Sequence, residues 1–532
     1  MTTDSVSRRG LLRAGAAISG AVAAGQVLGA GKAAAVSRTP VPLTSTTTYD
    51  PNPYADTPLP SPTARHYMSR LGCGFGTATF AQMTANGGPA SWLTKQLSPS
   101  TIAESTTVTA LSKWFPDLYN TAAAKWTTDR AKTKTAYEYS ADLASVAMLR
   151  RIYSTRQVLE NMVAFWSDVL HVDARHDTAW VWRADYDSVI RAKALGKFED
   201  LLVACELHPA MLLYLDNYRS VKDAPNENQG RELLELHTVG RGAGYTEDMV
   251  KDSAKILSGY TVVPYTTWAG AYDPQKHTTG AVKVLGFTDA NAAADGSALA
   301  VRYLKYLARH PATATNIATK LARHFVADQP SADLVAAVAA AYTKSGTNIK
   351  SALKALVAHP DFLASAGRLV RNPYEDLVAT VRSLGAQALD PITANSFARA
   401  CIYSPVTTLP FQWPNPAGQP LGDAAWCSAG RMLASFKMHW NLAGGYYPSA
   451  DVTYKKTGAD WLPIASIRLD QYVDHLCRVM LGKASDSRLV TAVVDATGYD
   501  PATIITKDHA VATWLHIFVM AALLDSPDHM CR

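Results

Sequence analysis

Three His-Pro pairs, His208-Pro209, His310-Pro311 and His359-Pro360, each close one helical stretch and precede an apolar turn. Proline has no amide hydrogen and its ring clashes with the preceding turn, so a helix stops there. Between such stops, apolar residues recur at helical spacing. Thr155–Leu170 carries Val158, Met162, Phe165, Trp166 and Val169 on this period. The same reading predicts helices over Phe198–Glu206, Ala298–His310, Ala312–Ala327, Ser331–Ser345, Asn348–His359, Tyr374–Gly385 and Ala424–His439. Val262–Phe287 is rich in Tyr, Thr, Trp and Gly without that period and reads as a loop or short hairpin. The stops are too irregular for a solenoid. The chain is therefore expected to be all-α, a large multi-helix single globular array with long Gly/Pro/aromatic loops and few short strands. GxGxxG, P-loop, GxSxG and HExxH patterns are absent.

At 532 residues and 48% hydrophobic, the chain has ample material for a large core. The formal charge of +6 includes a basic leader, and no basic stripe is interleaved with aromatics, so nucleic acid is not an expected partner. Ser7-Arg8-Arg9-Gly10-Leu11-Leu12 is a twin-arginine pattern. It precedes a weakly apolar run from Ala14 to Gly29, and Ala33-Ala34-Ala35 offers a cleavage site. The run is too short and Gly-rich to span a bilayer, so no stable membrane span is expected. Residues 1–35 read as a twin-arginine signal, 36–62 as a Pro/Ser/Thr-rich linker and 63–532 as the helical domain, with a sub-boundary near 390–420. The expected destination is extracellular, by way of the twin-arginine export machinery. That route carries folded proteins, which suits a preloaded cofactor or a fast-folding chain. Six cysteines form no C-x-x-C, and one disulfide is expected among Cys401, Cys427, Cys477 and Cys531. Cys73, in a Gly-flanked turn, reads as a small packing residue.

The densest polar segment is Glu227–Val239. Asn226 is a candidate N-cap, glycines 240, 242 and 244 stop the helix, and Thr246 starts another. At 100° per residue, Thr238, Arg231, Glu235, Asn228 and Glu232 fall within roughly 140° of one side. Leu233, Leu234 and Leu236 take the other side, with His237 among them. Such an arc is either a solvated face of Glu/Arg pairs or the wall of a cleft. In the second case Glu232 and Glu235, three residues apart, bring their carboxylates to roughly 5–6 Å.

Cleavage of a glycosidic bond needs two carboxylates across a sugar and aromatic platforms. The expected carboxylates are Glu232, Glu235 and Glu227, with Asp168 as the cross-cleft alternative. Arg231 would position one of them. Asn226, Asn228, Trp180, Trp182, Trp268, His277 and Trp413 would bind substrate, and Tyr272 and Trp426 belong to the same aromatic loop material. The expected function is a secreted glycoside hydrolase acting on an extracellular polysaccharide. No cofactor is predicted. The rival reading is a metal held by His171, His176 and His237 with Glu235 or Asp173. A third is a non-enzymatic cell-surface binding or assembly protein, in which the polar helix serves structure alone.

Several blocks resemble one bacterial family, the domain of unknown function 1800, from about Arg65 to Cys531. They are RHYMSRLGCGFG, GGPASWLTKQLSP, NMVAFWSDVLHV, HPAMLLYLDN and PNENQGRELLELHTVGRGAGYTEDMV. HPATATNIATKLARHFVADQP, RNPYEDLVA and FQWPNPAGQPLGDAAW follow. The resemblance implies a helix-rich exported protein, here with an actinobacterial-type twin-arginine leader, and no assigned activity. Family members usually carry histidine after Phe-Trp where this chain has Val169, so any role of that histidine is lost or moved to His171.

Overall fold

In the computed structural model, residues 57–455 and 457–532 are described. The twin-arginine pattern and most of the Pro/Ser/Thr-rich segment lie outside them. The described residues hold 24 α-helices and four two-stranded antiparallel sheets. The fold is all-α, as the helical spacing predicts.

Each His-Pro pair does more than end a helix. The histidine is the N-cap of the helix that follows, and the proline takes its first turn, where no amide hydrogen is needed. His208 Nδ1 accepts from Ala210 N at 3.1 Å, His310 Nδ1 from Ala312 N at 3.2 Å, and His359 Nδ1 from Asp361 N at 3.3 Å. His310 and His359 are also the C-caps of Ser297–Arg309 and Ile349–Ala358, so one residue turns the chain and starts it again. The stretch from Val262 resolves into two hairpins, Tyr260–Val262 with Gly270–Tyr272 and Val282–Val284 with Phe287–Asp289.

Asn226 caps Glu227–Glu232, accepting from Asn228 N at 2.9 Å. The α-helix then gives way to a π-helical turn over Leu233–His237. Thr238 Oγ1 donates to the Leu233 carbonyl at 2.6 Å, an oxygen that an α-helix would spend on His237 N. A 100° wheel therefore loses register after Glu232. Gly230 sits where this helix crosses Glu247–Leu257: a Cβ there would lie 2.9 Å from Ala254 N and 3.0 Å from Val250 O.

Buried apolar side chains form two clusters. The first runs from Ala64 to Phe362 and includes Phe165, Trp166, Leu201, Leu304 and Phe325. The second joins Leu143, Met148 and Leu149 to Leu377, Val378, Met480 and Leu523. The clusters meet where Ala136–Tyr153 and Pro373–Leu384 of the second face Gln157–Val169 and Pro311–Phe325 of the first. Charged side chains, Arg151, Glu160, Asp168, Asp187, Arg191 and Glu375, lie at that seam among apolar ones. All six cysteines are free, and Cys401 and Cys477 are locked in the second core, so the expected disulfide is absent from the described residues. No helix among them is long and apolar enough to cross a membrane.

Candidate functional site

The polar arc of Glu227–Thr238 meets arginines on the protein surface. Arg231 bridges Glu247 at 2.6 Å and Glu227 at 3.5 Å. Glu235 pairs with Arg241, itself 81% exposed, and accepts from Tyr245 Oη at 3.4 Å. Glu232 is half-buried, and burial raises its pKa. Exposed pairs of this kind contribute about 0–1 kcal/mol each. Asn226 is occupied as a cap, and Asn228 Nδ2 reaches the Leu215 carbonyl at 3.4 Å.

The aromatic and histidine candidates are mostly core. Trp268 is fully buried, with Trp126 at 5.1 Å and Tyr265 at 5.5 Å, so it has no face for a sugar. Trp182 donates to the Trp268 carbonyl at 3.0 Å. Trp180 stacks on Tyr139 at 5.6 Å and is buried. His277 is closed in by Asn291 Oδ1 at 2.8 Å and the Ser258 carbonyl at 3.0 Å. His237 pairs with Glu206 at 2.6 Å. His171 reaches the Trp413 carbonyl at 2.9 Å, and burial lowers its pKa to about 4. His176 caps its own turn, accepting from Ala179 N at 3.3 Å. These three histidines, His171, His176 and His237, do not gather as a ligand set.

Asp168 is placed differently. It lines a cavity at the seam between the two cores, with about 60 Å³ open to the centre of a water-sized sphere, enough for a few waters. Gln157–Val169 supplies Glu160, Ala164 and Asp168 at four-residue spacing, one stripe of a mostly apolar helix. Arg183–Lys193 adds Asp187 and Arg191, again four apart. Arg151, His324, Glu375 and the segment around Phe411 and Gln419 complete the wall.

Three of the four carboxylates are paired. Arg191 holds Glu160 at 2.6 Å and Asp187 at 3.7 Å. Arg532 holds Glu375 at 2.9 Å, with Arg151 at 4.0 Å. Burial pushes the Glu375 pKa up, but the positive charge of Arg532 and Arg151 helps to outweigh it and hold it below the usual range. Asp168 has no ion pair among the described residues. Asp168 is only partly buried, and it lines this cavity. Burial raises its pKa to about 7, against the pull of Arg151 and the Gln419 amide. Asp187 is only 6% exposed, and its Oδ1 has no hydrogen-bond partner. His324 stays neutral, because burial and then Arg532 drive its pKa to about 3. One cavity thus joins an acid that keeps its proton near neutrality to an arginine-held carboxylate with a spare oxygen. A proton-holding acid beside a second carboxylate is an arrangement that general acid–base work uses.

The wall segment brings Trp413. Trp413 and Trp426 form an edge-on pair at 6.1 Å, both partly exposed. The segment is pinned by Ala174 N donating to the Phe411 carbonyl at 2.7 Å and by Arg175 donating to the Gln412 carbonyl at 2.6 Å. Gly418 has φ +73°, and a Cβ there would overlap the Asp168 carbonyl. Gly418→Ala is expected to lose about 1–3 kcal/mol in urea unfolding and to become more open to proteolysis between Leu409 and Gln419. Unchanged stability and digestion would show that the segment does not rest on Asp168.

Sequence reasoning reached Asp168 and Trp413 but missed Asp187, Glu160, Arg191, Arg151 and Glu375. A signal was present only on Gln157–Val169, a mostly apolar helix with Glu160 and Asp168 two turns apart; Arg183–Lys193 is polar along much of its length and gave none.

No curated protein matches the chain, and no solved structure does. The family model for a protein of unknown function, DUF1800, matches residues 66–531. That span takes in every residue that lines the cavity, and the chain belongs to the DUF1800 family.

Proposed function

We propose that this protein is a secreted glycoside hydrolase, exported through an actinobacterial-type twin-arginine leader, that cleaves an extracellular polysaccharide with Asp168 and Asp187. Asp168 protonates the leaving oxygen. Asp187, held by Arg191, uses its spare oxygen as nucleophile or as base toward water. Trp413 and Trp426 provide the platform for the sugar chain. The observation that carries this reading is the presence, in one cavity with room for a few waters, of Asp168 without an ion pair and an arginine-held Asp187. The cavity is smaller than the roughly 300 Å³ of an ordinary ligand pocket, so the wall segment must lift to admit a sugar.

The mature protein is to be assayed on a panel of polysaccharides beside Asp168→Asn, Asp187→Asn, Glu232→Gln and Glu235→Gln. The expected result is turnover by the parent and both glutamate variants, with a loss of at least about 100-fold in each aspartate variant. A parent silent on the whole panel, or full activity in Asp168→Asn, contradicts the reading.

A further inference from the structure

A second polar cluster lies behind the cavity, and the proposed hydrolysis does not use it. Pro373–Leu384 turns Glu375 toward the cavity and its neighbour Asp376 the opposite way. Asp376 Oδ1 receives two imidazoles: His439 Nε2 at 3.1 Å and His529 Nε2 at 3.4 Å. These come from Ala429–Ala443 and Pro527–Met530, so three separate elements converge. Asp376 and His439 are fully buried, and His529 is 3% exposed. All three ligand atoms lie within 4.8 Å of one another, the one such group of His, Cys, Asp or Glu among the described residues.

We propose that Asp376, His439 and His529 bind one divalent transition-metal ion of the Zn²⁺ class. Zinc bonds to imidazole nitrogen and carboxylate oxygen are about 2.0–2.2 Å, which puts tetrahedral ligands roughly 3.3–3.5 Å apart. The two distances at Asp376 Oδ1 lie close to that edge. The far side of His439 supplies an independent observation. Its Nδ1 is bonded to Asp525 Oδ1 at 2.6 Å. A carboxylate on the distal ring nitrogen fixes the tautomer that presents Nε2 as a ligand. The other Asp376 oxygen is also held, by Ser435 Oγ at 2.6 Å and Arg431 at 3.4 Å. Thr380 Oγ1 is hydrogen-bonded to His529 Nε2 at 2.9 Å, a bond that the ion replaces when it takes this nitrogen. Two imidazoles and one carboxylate, with one position open, form a borderline donor set that suits Zn²⁺ or Co²⁺ better than Ca²⁺ or Mg²⁺, which prefer all-oxygen shells.

The full chain is to be expressed in cells supplied with Zn²⁺ or with Co²⁺, purified without chelator, and assayed by elemental analysis and visible absorption. About one ion per chain is expected, with the intense visible bands of four-coordinate Co²⁺ in the cobalt form. His529→Gln is expected to carry less than about a tenth of the parent's metal. Asp525→Asn, which leaves all three ligands in place, is expected to weaken binding by about 10–100-fold. Circular dichroism of each variant separates loss of metal from loss of fold, and a fully folded His529→Gln with the parent's metal content overturns the proposal. So does a folded parent that carries no stoichiometric metal from either medium. Neither outcome depends on finding a substrate, so this site and the hydrolase reading stand or fall separately.

Discussion

At about pH 8, Asp168→Asn is expected to resist urea better than the parent chain, whereas at about pH 4 the two unfold close together. The reason is burial. Asp168 has a folded pKa of about 7 against an ordinary value of 3.8. A raised folded pKa means that the group contributes its full stability below the ordinary value and loses it as pH rises through about 7. The parent therefore weakens across this window, and the asparagine variant, which cannot ionise, does not. The gap between these two values corresponds to about 4 kcal/mol. Water in the cavity screens part of this, so the expected gain of the variant over the parent is on the order of 2–4 kcal/mol between about pH 4 and pH 8. Every other titrating group is common to both chains and cancels in the difference. Asparagine keeps an acceptor for the Gln419 amide. A difference flat across the pH range would show that Asp168 ionises normally.

The second large effect belongs to Arg191. Arg191→Met is expected to cost about 3–5 kcal/mol, because it leaves Glu160 and Asp187 buried without their shared guanidinium. Glu160 is 2% exposed and Asp187 6%, so neither can turn to solvent. Adding Glu160→Gln to Arg191→Met is expected to restore part of the loss, since one stranded charge is then neutral. Chemical denaturation of the single and double variants at one pH measures both effects. A cost below about 1 kcal/mol would place Arg191 among ordinary surface ion pairs.

Much of the architecture was legible because it is local. The helical period, the Asn226 and Thr246 caps, the hairpin character after Val262 and the His-Pro breaks all rest on residues a few positions apart. The double use of histidine as C-cap and N-cap was equally local, since Pro at the first helical position invites an acceptor before it. The π-turn at Leu233–His237 was not legible, because it depends on the Thr238 hydroxyl claiming a carbonyl. The candidate site depends on distance in sequence. Arg191 reaches back 31 residues to Glu160, and Arg532 reaches Glu375 across the end of the second core. A polar arc such as that of Glu227–Thr238 shows only which side of a helix avoids the core. It does not show whether that side meets a cleft or, as here, Arg231 and Arg241. The acid sat instead on a mostly apolar helix, where Glu160 and Asp168 stand out among Val163, Phe165 and Trp166.

The protonation state of Asp168 is the most direct test of the candidate site. Infrared difference spectra of the parent against Asp168→Asn, recorded from about pH 4 upward, isolate the carbonyl stretch of this one side chain. The expected band is that of a neutral carboxylic acid, which persists at mild acidity and disappears through about pH 7. A band already gone near pH 4, the ordinary range for an aspartate, would contradict a buried acid at the seam.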